Sequence, residues 1–477
     1  MTRNFKTYII LAWLCVFVCF VQAESIDIFL KNPVTASANI SLLVQDLHSG
    51  EVIDSYRATN VAPPASVMKL LPTATALETL GADYRFSTYI EYSGYIADGV
   101  LHGDLYVRGT GDPTLGSQKV GDRNFLNRWA KAIREAGIRE IRGQVIADLS
   151  YFDADAINPG WIWEDIGNYY APGVYALSYL DNTMNVVLRS GSVGSIAEVQ
   201  YTVPEVPGVQ FENHIRCTSI THDGAFVHGA AYNYTRYLTG SVPSNQGSFG
   251  VQGDLPNPGL LLVQHLSKRL EESGVVITAE PTYISETDGK SRTLLYTWQS
   301  APLRDIIFET NIHSNNLYAE SLFRTFGARY TLPCTIHNSA DFEQDYWLRR
   351  GVNIRSARIV DGCGLAPQDA ISAETLVQLL TYMYRSPNKD AFYASLPVSG
   401  QSGTLRSLLP GTELAGKVHA KSGTIAATKN FAGYIELPNG QTWVFAVMVS
   451  FGNGKAKQIQ SVIGSYLLDL YKAKGEK

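Results

Sequence analysis

Ser66-Val67-Met68-Lys69 places a hydroxyl and an amine three positions apart, just after Pro63-Pro64. Val67, Leu70, Leu71, Ala74 and Leu77 then recur at helical spacing until Gly81, so the pattern predicts a helix that begins here with Ser66 and Lys69 on one face. A serine hydroxyl is a weak nucleophile. A neighbouring amine can take its proton once burial and a second cation lower the amine's pKa. A helix start also offers the Ser66 N–H to a developing oxyanion. Ser386-Pro387-Asn388-Lys389 repeats the spacing, but Pro387 and its polar neighbours read as a turn.

Two further elements carry hydroxyl, amide and amine groups. Ser314-Asn315-Asn316 precedes the apolar pattern Leu317, Ala319, Leu322 and Phe323, where serine and asparagine also serve as helix N-caps. Lys421-Ser422-Gly423 is the one Lys-Ser-Gly or Lys-Thr-Gly in the chain and falls on a predicted strand. A glycine there lets a substrate backbone lie close, while Lys421 and the hydroxyls address a carboxylate.

The elements that must position these groups follow from periodicity. Ile40 to Leu47 and Glu51 to Tyr56 read as a hairpin across His48-Ser49-Gly50. From about Tyr89 to Arg292 short strand-like runs dominate, with helices only at Asn124 to Gly137 and Pro258 to Gly274. Helical patterns return at Asn315 to Phe326, Ala340 to Gly351 and Ala373 to Tyr384. The chain closes with strands at Lys417 to Thr424, Lys429 to Leu437 and Thr442 to Ser450, then an amphipathic helix from Lys457 to Tyr471. Its stripe fits core packing, with a membrane-surface element as the competing reading. Both ends thus read as α/β and the middle as β, which predicts one domain from residues 24–88 and 293–477 with a β-rich insertion at 89–292.

Composition bounds the rest. At 477 residues, with 45% hydrophobic and 17% charged residues, the chain is globular and long enough for two or three domains. A formal net charge of −5 gives no electrostatic footprint for nucleic acid. Residues 1–23 read as a cleaved secretory signal: Arg3 and Lys6 precede the apolar run Tyr8 to Val21, and Val21-Gln22-Ala23 resembles a signal-peptidase site. That places the protein outside the cytoplasm, in the periplasm or secreted. Removing the signal takes Cys15 and Cys19, and the remaining Cys217, Cys334 and Cys363 lack metal-ligand spacing. No structural metal site is expected.

Ser-x-x-Lys, Ser-x-Asn and Lys-Ser-Gly in this order are the motif set of serine β-lactamases and penicillin-binding proteins. With its long stretch between the first two motifs, the chain resembles the low-molecular-mass class C penicillin-binding proteins. These are the DacB-like D-alanyl-D-alanine carboxypeptidase/endopeptidase family. Asp361-Gly362-Cys363-Gly364-Leu365 is similar to the family's Asp-Gly-Ser-Gly-Leu, with Cys363 in place of the serine, and Gly403-Thr404-Leu405 adds to the likeness.

The resemblance implies a transpeptidase-like domain, an antiparallel sheet flanked by helices, carrying a large β-rich insertion. It implies hydrolysis of peptidoglycan stem peptides and cross-links through an acyl-enzyme on Ser66, stalled by β-lactams and needing no cofactor. By the same resemblance Lys69 is the base, Ser314 relays a proton and Asn316 binds the substrate amide. Ser66 and Thr424 N–H groups hold the oxyanion, and Lys421, Ser422, Gly423 and Thr424 line the site of the terminal carboxylate. Asp165, in the cluster Trp161-Ile162-Trp163-Glu164-Asp165, would grip the stem-peptide side chain, against a reading of core tryptophans with a solvated acid.

A serine β-lactamase or esterase, and a non-catalytic peptidoglycan-binding scaffold, are the alternatives. The former needs a deacylating base and leaves the insertion unexplained; the latter is opposed by the intact Ser66, Lys69 and Lys421. A Ser-His-Asp triad around His313 lacks a Gly-x-Ser-x-Gly elbow, and Gly109-Thr110-Gly111 lacks the third glycine of a dinucleotide loop.

Overall fold

The computed structural model describes residues 24–475; the expected signal at 1–23 lies outside the described residues. Five antiparallel strands make the central sheet: β1 (Asn39–Asp46), β2 (Val52–Tyr56), β3 (Val418–Ile425), β4 (Thr428–Glu436) and β5 (Thr442–Ser450), in the order β2-β1-β5-β4-β3. The β1–β5 ladder runs from Asn39 opposite Ser450 to Asp46 opposite Trp443, so the two ends of the chain form one sheet. The β1–β2 turn is fixed locally. Asp46 Oδ1 accepts from the N–H groups of His48 and Ser49, and Gly50 takes φ +75.

Period-two alternation buries both faces. Leu43, Ala432, Tyr434, Val444, Ala446 and Met448 face one core, packed by α1 (Leu70–Leu80), α2 (Leu303–Ile312), α3 (Asn316–Gly327), α4 (Ile336–Arg349) and α5 (Ala373–Arg385). Ile40, Leu42, Val44, Phe431, Phe445 and Val447 face the other, covered by α6 (Ala456–Leu470) and the helix Glu24–Lys31. The α6 stripe Ile459, Ile463, Tyr466, Leu467 and Leu470 is buried in that core. Among the described residues no helix is long and apolar enough to cross a membrane.

Two helix starts differ from the sequence expectation. Ser66 and Lys69 do not open an α-helix: Ala65–Lys69 is a 3₁₀ turn and α1 begins at Leu70. Asn430 Nδ2 holds the carbonyls of Pro63 and Pro64, each at 2.9 Å, and Ala65 follows at φ +47, so tertiary contacts set the entry. Three residues per turn place Ser66 directly below Lys69. Helix α4 starts at Ile336 and not Ala340, because the Thr335 hydroxyl caps it by accepting from Asn338 N–H at 3.0 Å.

The middle of the chain has its own apolar core, around Trp129, Val145, Leu177, Val186, Leu238 and Leu262. One five-stranded sheet there orders Thr282–Ile284, Val145–Asp148, Leu105–Arg108, Ser87–Tyr92 and Thr293–Gln299. It takes in both segments that flank residues 89–292. Phe86 and Ser300 tie the two crossings together: Ser300 N–H donates to the Phe86 carbonyl and Phe86 N–H to Ser300 Oγ.

Candidate active site

Lys69 is wholly buried, and its Nζ donates to Ser66 Oγ at 2.9 Å and to the Cys363 carbonyl oxygen at 2.7 Å. Burial pushes the amine below its usual value, against the opposing pull of Cys363, Asp361 and Glu320. The loop carrying Cys363 is held by one buried carboxylate. Asp361 accepts N–H groups from Cys363, Gly364, Leu365 and Ala366, and the indole N–H of Trp161 at 2.9 Å. The competing reading of core tryptophans thus describes Trp161, which supports the Lys69 loop, and not Trp163, which is exposed. Glu320 accepts Gly362 N–H at 2.7 Å, and burial pushes this carboxyl up to about 8.

Gly364, at φ +79, and Gly423 are required by close approach. A Cβ on Gly364 would stand 1.9 Å from the Ala65 carbonyl oxygen; one on Gly423 would stand 2.4 Å from that of Pro64. Strand β3 can therefore press against the Ser66 turn.

Ser314 sits between α2 and α3 at φ +60, and Lys421 Nζ donates to its hydroxyl at 2.9 Å and to the Ser422 carbonyl at 2.9 Å. Asn315 is the N-cap, accepting from Tyr318 N–H, which leaves Ser314 and Asn316 for other partners. The capping and the functional readings of this motif thus apply to different residues. Burial, then the nearby Lys69 and Lys429 amines, hold Lys421 well below the usual lysine range. Ser422 Oγ donates to Thr404 Oγ1 at 2.8 Å.

Strand β3 is the sheet edge. Val418 and Ala420 N–H groups point outward to Ser399 Oγ and the Pro397 carbonyl. Strand alternation puts the N–H groups of Ser422 and Thr424 on the same outer edge, beside the Ser66 turn.

Asn316 Nδ2 donates to the Tyr170 carbonyl at 2.7 Å, and the Tyr170 hydroxyl donates to Asp165 at 3.0 Å. Asp165 is half-buried, and burial raises its pKa. A cavity of about 1050 Å³ opens beside Ser314 and Asn316 and extends along Tyr169, Tyr170, Asp181 and Lys119; neither Ser66 nor Asp165 lines it. His313 Nδ1 lies 2.6 Å from Glu309, and Ser314 is engaged by Lys421, so no histidine activates it.

Sequence reasoning missed Tyr170, Glu320, Asn430 and Lys429, whose Nζ donates to Thr424 Oγ1 at 2.8 Å. The register of the β3–β4 hairpin, which pairs Thr424 with Lys429, is the signal that could have found the last.

The sequence model of the D-Ala-D-Ala carboxypeptidase 3 (S13) family matches residues 22–468. The chain belongs to that family. As an S13 member it is a serine-type D-Ala-D-Ala carboxypeptidase on a penicillin-binding-protein fold. It is 27% identical over 445 residues to a D-alanyl-D-alanine carboxypeptidase of Actinomadura sp. strain R39, covering 91% of this chain and 81% of that one. Its fold is similar to penicillin-binding protein 4 (DacB) from Haemophilus influenzae, with TM-score 0.81, 22% identity, and 94% and 98% of the two chains covered. The same Haemophilus protein complexed with a β-lactam gives TM-score 0.76 at 20% identity, covering 94% of this chain and 99% of that one.

Proposed function

We propose that this protein is an exported D-alanyl-D-alanine carboxypeptidase and endopeptidase that acts on peptidoglycan stem peptides and cross-links and is acylated by β-lactams. The observation that carries the reading is the pair of amine–hydroxyl contacts, Lys69 to Ser66 and Lys421 to Ser314, beside the edge of β3.

Ser66 Oγ adds to the D-alanyl carbonyl as its proton passes to Lys69 Nζ, which burial has made a competent base. The N–H groups of Ser66 and Thr424 receive the oxyanion. Ser314 relays a proton to the leaving amine, and Asn316 orients the substrate amide. Lys421, Ser422 and Thr424 hold the terminal carboxylate over Gly423; its arrival favours the charged form of Lys421 that burial disfavours. Water then hydrolyses the ester, and a β-lactam stalls at that stage.

The two ends of the chain, outside the Phe86–Ser300 crossing, form the peptidase unit, the residues between them the insertion and 1–23 the export signal, which places the enzyme in the cell envelope. Asp165 meets the stem-peptide side chain from the insertion, a role supported by its link through Tyr170 to Asn316. The test is release of D-alanine from a peptide ending in D-Ala-D-Ala, with cleavage of cross-linked muropeptides alongside. Release and cleavage are expected; absence of the first overturns the carboxypeptidase reading, and absence of the second the endopeptidase reading.

A further inference from the structure

Lys429 enters the site from β4, the strand behind the substrate-binding edge. It stands opposite Thr424 in the ladder, and its Nζ donates to the Thr424 hydroxyl at 2.8 Å. Its Nζ lies over the Phe431 ring, 5.1 Å from the centroid, and the residue is only 7% exposed. An ammonium has three donors, and the Thr424 hydroxyl is the one acceptor it meets among the described residues.

Among the described residues no carboxylate hydrogen-bonds to this amine. Burial alone shifts Lys429, to about 8, so it carries its charge at neutral pH. The neighbouring Lys421 is held down by burial and by two other amines, Lys69 and Lys429. Buried cations without anionic partners are costly, and a site that gathers them is built for an anion that arrives from outside. The proposed function accounts for one carboxylate, at Lys421, Ser422 and Thr424. It leaves the Lys429 ammonium, which touches the Thr424 hydroxyl, without an anionic ligand.

We propose that Lys429 is a substrate-binding residue that extends the anion site past Thr424, so that the preferred leaving residue carries a second carboxylate. The terminal carboxylate lies on Lys421, and the side-chain carboxylate of an acidic D-residue reaches Lys429. This rests on the peptidase reading above and names its substrate class.

The test compares two acylated dipeptides, one ending in D-Ala-D-Ala and one in D-Ala-D-Glu, on the native enzyme and on Lys429→Met and Lys429→Arg. Titration with a labelled penicillin counts competent sites in each preparation. The native enzyme is expected to favour the diacid by about tenfold in kcat/KM, expressed in KM, the gain of one charge-assisted hydrogen bond. Lys429→Met brings the ratio of the two substrates close to one, and Lys429→Arg restores the preference. No diacid preference in an enzyme that turns over the D-Ala-D-Ala substrate overturns the inference alone, as does an equal loss on both substrates in Lys429→Met. No turnover of either substrate by native enzyme overturns the peptidase reading instead.

Discussion

Lys69 Nζ reaches both Ser66 Oγ and the Cys363 carbonyl, at 2.9 and 2.7 Å, and so ties the candidate nucleophile to the loop built on Asp361. The amine is fully buried, and its position depends on two hydrogen-bonding oxygens that come from opposite parts of the chain. Chemistry and packing therefore make different demands on it.

Lys69→Met separates them. Methionine keeps much of the stem's volume and removes a buried amine, so the melting temperature should hold or rise. The rate of acylation by a labelled penicillin should fall about a thousandfold, the middle of the range for removing a general base. Thermal denaturation together with labelling kinetics checks both halves.

Cys363 takes the place of the serine in the Asp-Gly-Ser-Gly-Leu motif, and the structure buries it, 1% exposed, with Sγ 3.6 Å from Asp361. Burial, then the Asp361 and Glu320 charges, pushes the thiol well above its usual pKa. A high-pKa, enclosed thiol is inert. An aromatic disulfide reagent should leave Cys363 unmodified in the native protein and modify it after unfolding. Cys363→Ser, a hydroxyl of similar size, should keep penicillin acylation. Rapid modification of native Cys363 would contradict this.

What the sequence made legible was the chemistry that is local in the chain. Ser66 and Lys69 are neighbours under any helical turn, and the strands β1, β4 and β5 announce themselves by apolar runs and turn residues. The 3₁₀ form of the Ser66 turn was not legible, because Asn430, far along the chain, imposes it by holding Pro63 and Pro64. Asp165 was singled out for its charge, yet its neighbour Tyr170 is the residue that contacts Asn316 and lines the cavity. Lys429 escaped notice because its partner, Thr424, meets it only when β3 and β4 pair.

Stability should fall as pH rises, through Glu343. This carboxyl is fully buried on α4, accepts from Thr75 Oγ1 at 2.9 Å and is pushed by burial from 4.5 up to about 8. Between those values the folded state holds a proton that the unfolded state has lost. The associated stability is present below about 4.5 and is lost as pH rises through about 8, by at most roughly 1.4 kcal/mol per pH unit. Urea unfolding at pH 5 and pH 8 should show the decline, and Glu343→Gln, which keeps an acceptor for Thr75, should reduce its slope by one proton's share, leaving the share of Glu320, which burial also pushes up to about 8. An unchanged slope in the variant would contradict the assignment.

The central claim is that Ser66 is the nucleophile and forms the acyl-enzyme. Incubating the protein and its Ser66→Ala variant with a fluorescent penicillin, and locating the label by peptide mapping, tests it most directly. The account predicts a stable adduct on the Ser66 peptide of the native protein and none on the variant. An unlabelled native protein, or label persisting on Ser66→Ala, would contradict it.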